Sequence, residues 1–174
     1  MVAMSTQTQH VTSVPLEVKH VDEAHVVGLY GATLIQIWRG TVSGAASARI
    51  NRIARALVES NSGPVSCLYV VERSSPPPGD EARKALAAFS RDLVSRMRIA
   101  VVVAEGGGFR GSLVRAVGVT LTTLLPHSSK FSFVSDVPVG AKLIEPHMIA
   151  GIGGASSLTQ AAEQLRQKIG SGSA

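Results

Sequence analysis

Residues 99–125 constrain the fold more than any other part of the chain. They run from a β-branched stretch, Ile99-Ala-Val-Val-Val-Ala104, through a glycine loop, Glu105-Gly-Gly-Gly-Phe-Arg-Gly111, into a long apolar segment from Ser112 to Leu125. A short apolar run without polar alternation is the pattern of a strand covered on both faces, so residues 99–104 are expected in the middle of a sheet. The apolar segment after the glycines has the length of a helix. Strand, glycine turn and helix in this order belong to the α/β class.

The rest of the composition fits one such domain. A chain of 174 residues can bury one proper core with ends to spare, and is too short for two full-sized domains. Hydrophobic residues make up 45% and charged residues 17%, which excludes a disordered chain, and the 4% aromatic content means a core of Val, Ile, Leu and Ala. The net charge of +5 would favour an anionic partner, but the Lys and Arg residues are scattered and lack interleaved aromatics, so no nucleic-acid binding is expected. The lone cysteine, Cys67, falls in a strand pattern and implies a reducing compartment. Residues 1–14 lack the apolar core of a signal peptide, and the apolar runs at 26–38 and 116–125 are shorter than the ~20 residues of a membrane span. A soluble cytoplasmic protein with no transmembrane segment is expected.

Taken in order, residues 1–15 read as a flexible arm, and the first expected strands, 26–30 and 33–38, are joined by Gly31-Ala32 at hairpin length. Ser43 is placed to cap a helix over 44–60 that stops at Asn61-Ser-Gly-Pro64, with Gly63 as a left-handed cap. Its Ala46, Ile50, Ile53 and Leu57 share one side, and Arg49, Arg52 and Arg55 form the opposite, solvated face. A strand over 65–72 leads into the stiff loop Arg73-Ser-Ser-Pro-Pro-Pro-Gly79. Asp80 is expected to cap a second helix reaching about Met97. After residues 99–125 come a short strand at 131–134 and a helix started by Asp136 and Pro138. The expected order is ββαβαβαβα over a domain from 16 to 148. Residues 149–174 then form a glycine hinge and an amphipathic helix, with Ser157-Leu-Thr-Gln160 spaced as a capping box and Leu158, Ala161, Ala162, Leu165 and Ile169 as its apolar stripe, expected to pack back on the domain.

Chemistry-bearing patterns are sparse. Gly106, Gly108 and Gly111 satisfy G-x-G-x-x-G after a strand and before a helix, and Asp136 ends the next strand, so a nucleotide-binding enzyme is the alternative reading. Against it, the unit comes third in the chain, Glu105 sits where a pyrophosphate would approach, and no second mononucleotide half follows. A simpler anion site could use helix-start amides with Arg110 and Arg115. The five histidines show no ligand-type spacing and one cysteine cannot build a zinc site, so no metal is expected. There is no G-x-S-x-G elbow, and Glu72 with Asp80 is the one carboxylate pair that flanks a loop. No catalytic residue and no cofactor are assigned, and the chain reads as a non-enzyme.

Three further stretches carry a family likeness: Leu34-Ile-Gln-Ile-Trp-Arg-Gly40 leading into the first helix, Val101-Val-Val-Ala104 with Gly108-Phe-Arg110 and Arg115, and Ser132-Phe-Val-Ser-Asp-Val137 before the terminal helix. Over residues 26–148 the chain resembles the STAS superfamily of sulfate-transporter and anti-sigma-factor-antagonist domains, in its SpoIIAA-like bacterial branch. The resemblance implies a mixed sheet with helices mainly on one side. It also implies a non-enzymatic regulatory module that switches protein partners or holds an anionic or apolar small ligand; self-association stays open. In antagonist members a regulatory phosphoserine lies between the third strand and second helix. The matching place is Arg73-Ser74-Ser75-Pro76, which makes Ser75 the phosphorylation candidate, although three prolines replace the usual Asp and Gly surroundings. The loops at 74–79 and 105–111 should leave the same end of neighbouring strands, so Arg73, Ser74, Ser75, Gly106, Gly108 and Arg110 form the expected docking surface for a protein or anion.

Overall fold

The computed structural model describes residues 14–41, 43–106 and 128–170. Six strands form one mixed sheet in chain order: β1 (Glu17–Val21), β2 (His25–Tyr30), β3 (Thr33–Trp38), β4 (Val65–Val71), β5 (Met97–Ala104) and β6 (Phe131–Val134). β1, β2 and β3 are antiparallel, and β3 to β6 run parallel. The expected hairpin is present, with Tyr30 opposite Thr33 and Gly31 at φ 59°, a left-handed conformation that favours glycine. Among the described residues four α-helices accompany the sheet: α1 (Gly44–Ser60), α2 (Asp80–Leu93), α3 (Val137–Ile144) and α4 (Ala155–Arg166). No helix among the described residues is long and apolar enough to cross a membrane.

The helices cover both faces of the sheet, where the resemblance implied mainly one. α1 and α2 pack Ile50, Ala54, Leu57, Ala82, Phe89 and Leu93 against Leu34, Cys67 and Ala100. α3 and α4 pack Val137, Ala141, Ile144, Leu158 and Leu165 against Ile35, Leu68, Val101 and Val103 on the other side. The strands dictate this. Every residue of β3 is buried, and a strand with no polar face needs a layer on each side. α3 comes especially close, since a Cβ at Gly140 would lie 3.1 Å from Val103 and 3.2 Å from Val101.

Several local boundaries differ from the sequence reading. β1 forms where no strand was expected, because its side chains are exposed or half-buried and carry no hydrophobic signal; main-chain pairing with β2 holds it. Ser43 caps α1 through the Ala46 amide as expected, but the stop is Asn61, whose side-chain amide donates to the Leu57 carbonyl at 2.9 Å, and not Gly63. Gly79 holds the N-cap position of α2; Asp80 is its first residue and pairs with Arg83. α2 ends at Leu93, a short 3-10 turn follows, and Met97 already belongs to β5. α4 begins at Ala155, so Ser157 lies inside it and no capping box forms; the Glu145 carboxylate accepts from the Ala155 amide at 3.0 Å instead. Asp136 does cap α3, accepting from the Val139 amide at 2.9 Å. The helix expected over 112–125 lies outside the described residues.

Candidate site at the carboxyl end of the parallel strands

The parallel strands β3, β4 and β5 end in register, with Trp38 opposite Val71 and Val71 opposite Ala104. The next residue of each chain is charged: Arg39, Glu72 and Glu105. The ladder continues one step past the strands, the Glu72 amide donating to the Trp38 carbonyl at 2.9 Å and the Glu105 amide to the Val71 carbonyl at 3.0 Å. Ile37, Val70 and Val103, two residues earlier, all face the α3 and α4 layer, so the period of two aims the three charged side chains at α4. There they meet Arg166.

The four groups form two forked pairs. Arg39 donates to both Glu72 oxygens, from Nε at 2.7 Å and Nη2 at 3.1 Å. Arg166 donates to both Glu105 oxygens, from Nη1 at 3.0 Å and Nη2 at 2.6 Å. Arg166 Nε lies 3.7 Å from Glu72 and 3.4 Å from Glu163, which links the pairs. Arg39 also reaches the carbonyls of Arg166 and Ile169, each at 3.4 Å, at the C-terminal end of α4. The hydrogen bond to Glu72 raises the pKa of Arg39. Burial works against the Arg166 charge, yet the bonds and charges of Glu105, Glu163 and Glu72 outweigh it and raise its pKa too. Both guanidiniums therefore stay cationic, and the constellation is a latch that holds α4 to the sheet.

The expected docking residues sit one step further along the same chains. Ser74 Oγ donates to the Arg39 carbonyl and Ser75 Oγ to the Gly40 carbonyl, both at 3.1 Å. Ser75 is buried, and Ser74 is exposed. Gly106 has φ 100°, and a Cβ there would lie 3.2 Å from Arg73 Nε, so the Arg73 and Gly106 segments touch. Gly108 and Arg110 lie outside the described residues. The Glu72 and Asp80 pair does not form: Glu72 is held by Arg39, and Asp80 by Arg83. Arg55 of the solvated arginine face pairs with Asp92 of α2.

Beside this row lies the turn between β1 and β2. The Ala24 carbonyl accepts from the amides of Arg39 at 2.7 Å and Gly40 at 3.1 Å, which fixes the turn to the end of β3. The turn brings together His20, Asp22 and His25, whose ligand-type atoms all lie within 4.8 Å of one another. The sequence reading found no ligand-type spacing here because the grouping depends on β1, a strand without a hydrophobic signal. The latch was also missed, although a signal existed: an ionic residue directly follows each of three apolar runs. Elsewhere, an open groove of about 420 Å³ runs between β1 and α4, lined by Leu16, Val18, Gln164, Gln167 and Lys168.

No protein-family model, curated protein or solved structure matches this chain.

Proposed function

We propose that the chain is a non-enzymatic regulatory module of the STAS-like type, which binds a protein partner in the cytoplasm through the loops at the carboxyl end of its parallel strands. The observation that carries the reading is the meeting of the 73–75 segment with Gly106 at that end, beside a row of ionic groups already committed to one another. A catalytic site needs a group free to take or give a proton or to attack. Here both carboxylates are forked onto arginines and both serine hydroxyls donate to main-chain carbonyls. Such a surface is fixed in shape and charge, which suits recognition. The opening hairpin followed by parallel strands in chain order supports the STAS-like assignment; the helices on both faces depart from what the resemblance implied.

The test has two arms. Tagged wild-type chain and a folded Arg73→Ala/Arg110→Ala variant are used to capture partners from the native lysate, and the wild type is screened by thermal shift against NAD(P), ATP and GTP. The expected result is a partner retained by wild type and lost by the variant, with no nucleotide shift. A nucleotide at 100 times its dissociation constant would add about 2.7 kcal/mol of stability. A saturable shift of that kind, with no captured partner, would replace this reading by the nucleotide-binding enzyme.

A further inference from the structure

We propose that the β1–β2 turn is a binding site for a divalent transition-metal ion of the zinc and cobalt type, with His20 Nε2, His25 Nδ1 and the Asp22 carboxylate as its protein ligands.

The donor set is two imidazole nitrogens and one carboxylate, the combination that selects such ions over calcium or magnesium, which prefer oxygen donors throughout. Asp22 lies between the two rings. His20 Nε2 is 3.0 Å from its carboxylate, and His25 Nδ1 is 2.7 Å from it. Around a tetrahedral ion with bonds of 2.0–2.1 Å, neighbouring donors stand roughly 3.3 Å apart. The ion therefore takes the place of the protons that now bridge these atoms, and each gap opens by about 0.3–0.6 Å. Three protein ligands leave the fourth position to solvent or to a donor from a bound molecule.

Two of the ligands are already oriented. Asp22 accepts from the backbone amides of Ala24 at 2.8 Å and His25 at 2.7 Å through one oxygen, as the outer contacts of a metal-binding carboxylate do. An Asp carboxyl is ionised at neutral pH, so the ligand is anionic. The His25 ring is only 4% exposed and packs edge to face on Trp38, with centroids 4.7 Å apart and planes at 84°. His20 is the adjustable ligand, on the edge strand. The exposed Arg49 side chain places a guanidinium nitrogen 3.4 Å from His20 Nε2, and this cation swings aside into solvent when the ion enters.

The site stands apart from the partner-binding reading and is tested separately. Untagged, chelator-stripped full-length chain is titrated with Zn²⁺ by calorimetry and with Co²⁺ by visible spectroscopy. One equivalent of either ion is expected to bind, and the cobalt form should show the absorption of a low-coordinate nitrogen and oxygen site. His20→Gln leaves the two backbone-amide hydrogen bonds to Asp22 untouched and should lower zinc affinity by roughly 10- to 100-fold. Asp22→Asn, which keeps one oxygen for the amides, should do the same and abolish the cobalt bands. Absence of saturable zinc binding by the wild type at sub-millimolar ion would overturn the proposal. So would wild-type affinity in both variants, which would move the binding elsewhere on the chain.

Discussion

Leu165→Ala tests whether α4 belongs to the core or merely rests beside it. Leu165 has no exposed surface, and a Cβ at Gly28 would lie 2.8 Å from both of its δ-carbons, so the side chain sits directly on the β2 backbone. Truncation removes about three carbon groups at roughly 0.8 kcal/mol each, a transfer loss of roughly 2.4 kcal/mol. The cavity adds to this, because Gly28 has no side chain to swing in and the buried α4 neighbours Ala161 and Ala162 are small. The expected loss is about 3–4 kcal/mol in urea unfolding with an unchanged denaturant slope. A loss below about 1 kcal/mol would refute the reasoning and show α4 detached in solution.

Gly106→Ala should cost about 1–2 kcal/mol, since φ 100° strains any residue with a Cβ and the added atom would press on Arg73; a urea midpoint equal to wild type would contradict this. Burial pushes the Cys67 thiol from its ordinary 9.0 up to about 12, so its stabilising contribution is complete below pH 9 and is lost as pH rises towards 12, at up to about 1.4 kcal/mol per pH unit. Cys67→Ala should flatten that alkaline limb, and native Cys67 should react with iodoacetamide only as fast as the chain opens; rapid labelling of folded protein would be the contrary result. Ser75→Glu should destabilise the fold by about 2 kcal/mol or more, because it sets a carboxylate against the Gly40 carbonyl in a buried place, whereas exposed Ser74→Glu should stay within about 0.5 kcal/mol. Mass spectrometry after kinase treatment of folded protein should accordingly find phosphate on Ser74 ahead of Ser75, and modification of Ser75 alone would count against the buried-hydroxyl argument.

The sequence made most of the fold legible because its signals are local. Period-two alternation and unbroken apolar runs give β2 to β6, the Ser43 and Asp136 caps start α1 and α3, and Gly31-Ala32 sets the hairpin. The misses at β1, at the start of α4 and at the latch depend on partners outside the local run. β1 is held by main-chain bonds to β2, and its exposed Glu17 and Lys19 pair with each other. The N-terminus of α4 is served by Glu145, ten residues earlier and on another element, so the local Ser157 motif misleads. Arg39 and Arg166 read as ordinary surface cations until the register of β3, β4 and β5 brings Glu72 and Glu105 beneath them. The meeting of the Arg73 and Gly106 segments was legible because strand order alone carries the β4 and β5 loops to the same end.

That end of an α/β sheet is where ligands generally bind, and the latch decides which half of it is open. Arg39, Glu72 and Glu105 continue the alternation of Ile37, Val70 and Val103 and are covered by the last turn of α4. A forked pair that loses one member leaves a half-buried charge unpaired, which costs far more than the pair contributes. An incoming anion would therefore have to displace Glu72 or Glu105 without freeing it. Approach from the α4 side is closed on energetic grounds as well as by packing. The next residues, Gly40, Arg73 and Gly106, lead into α1, into the loop that starts α2 and into the glycine segment. Latch and proposed docking loops are successive residues of the same strand ends, so a partner bound at Arg73 and Gly106 would pull on the backbone that positions Glu72 and Glu105, and through them on α4.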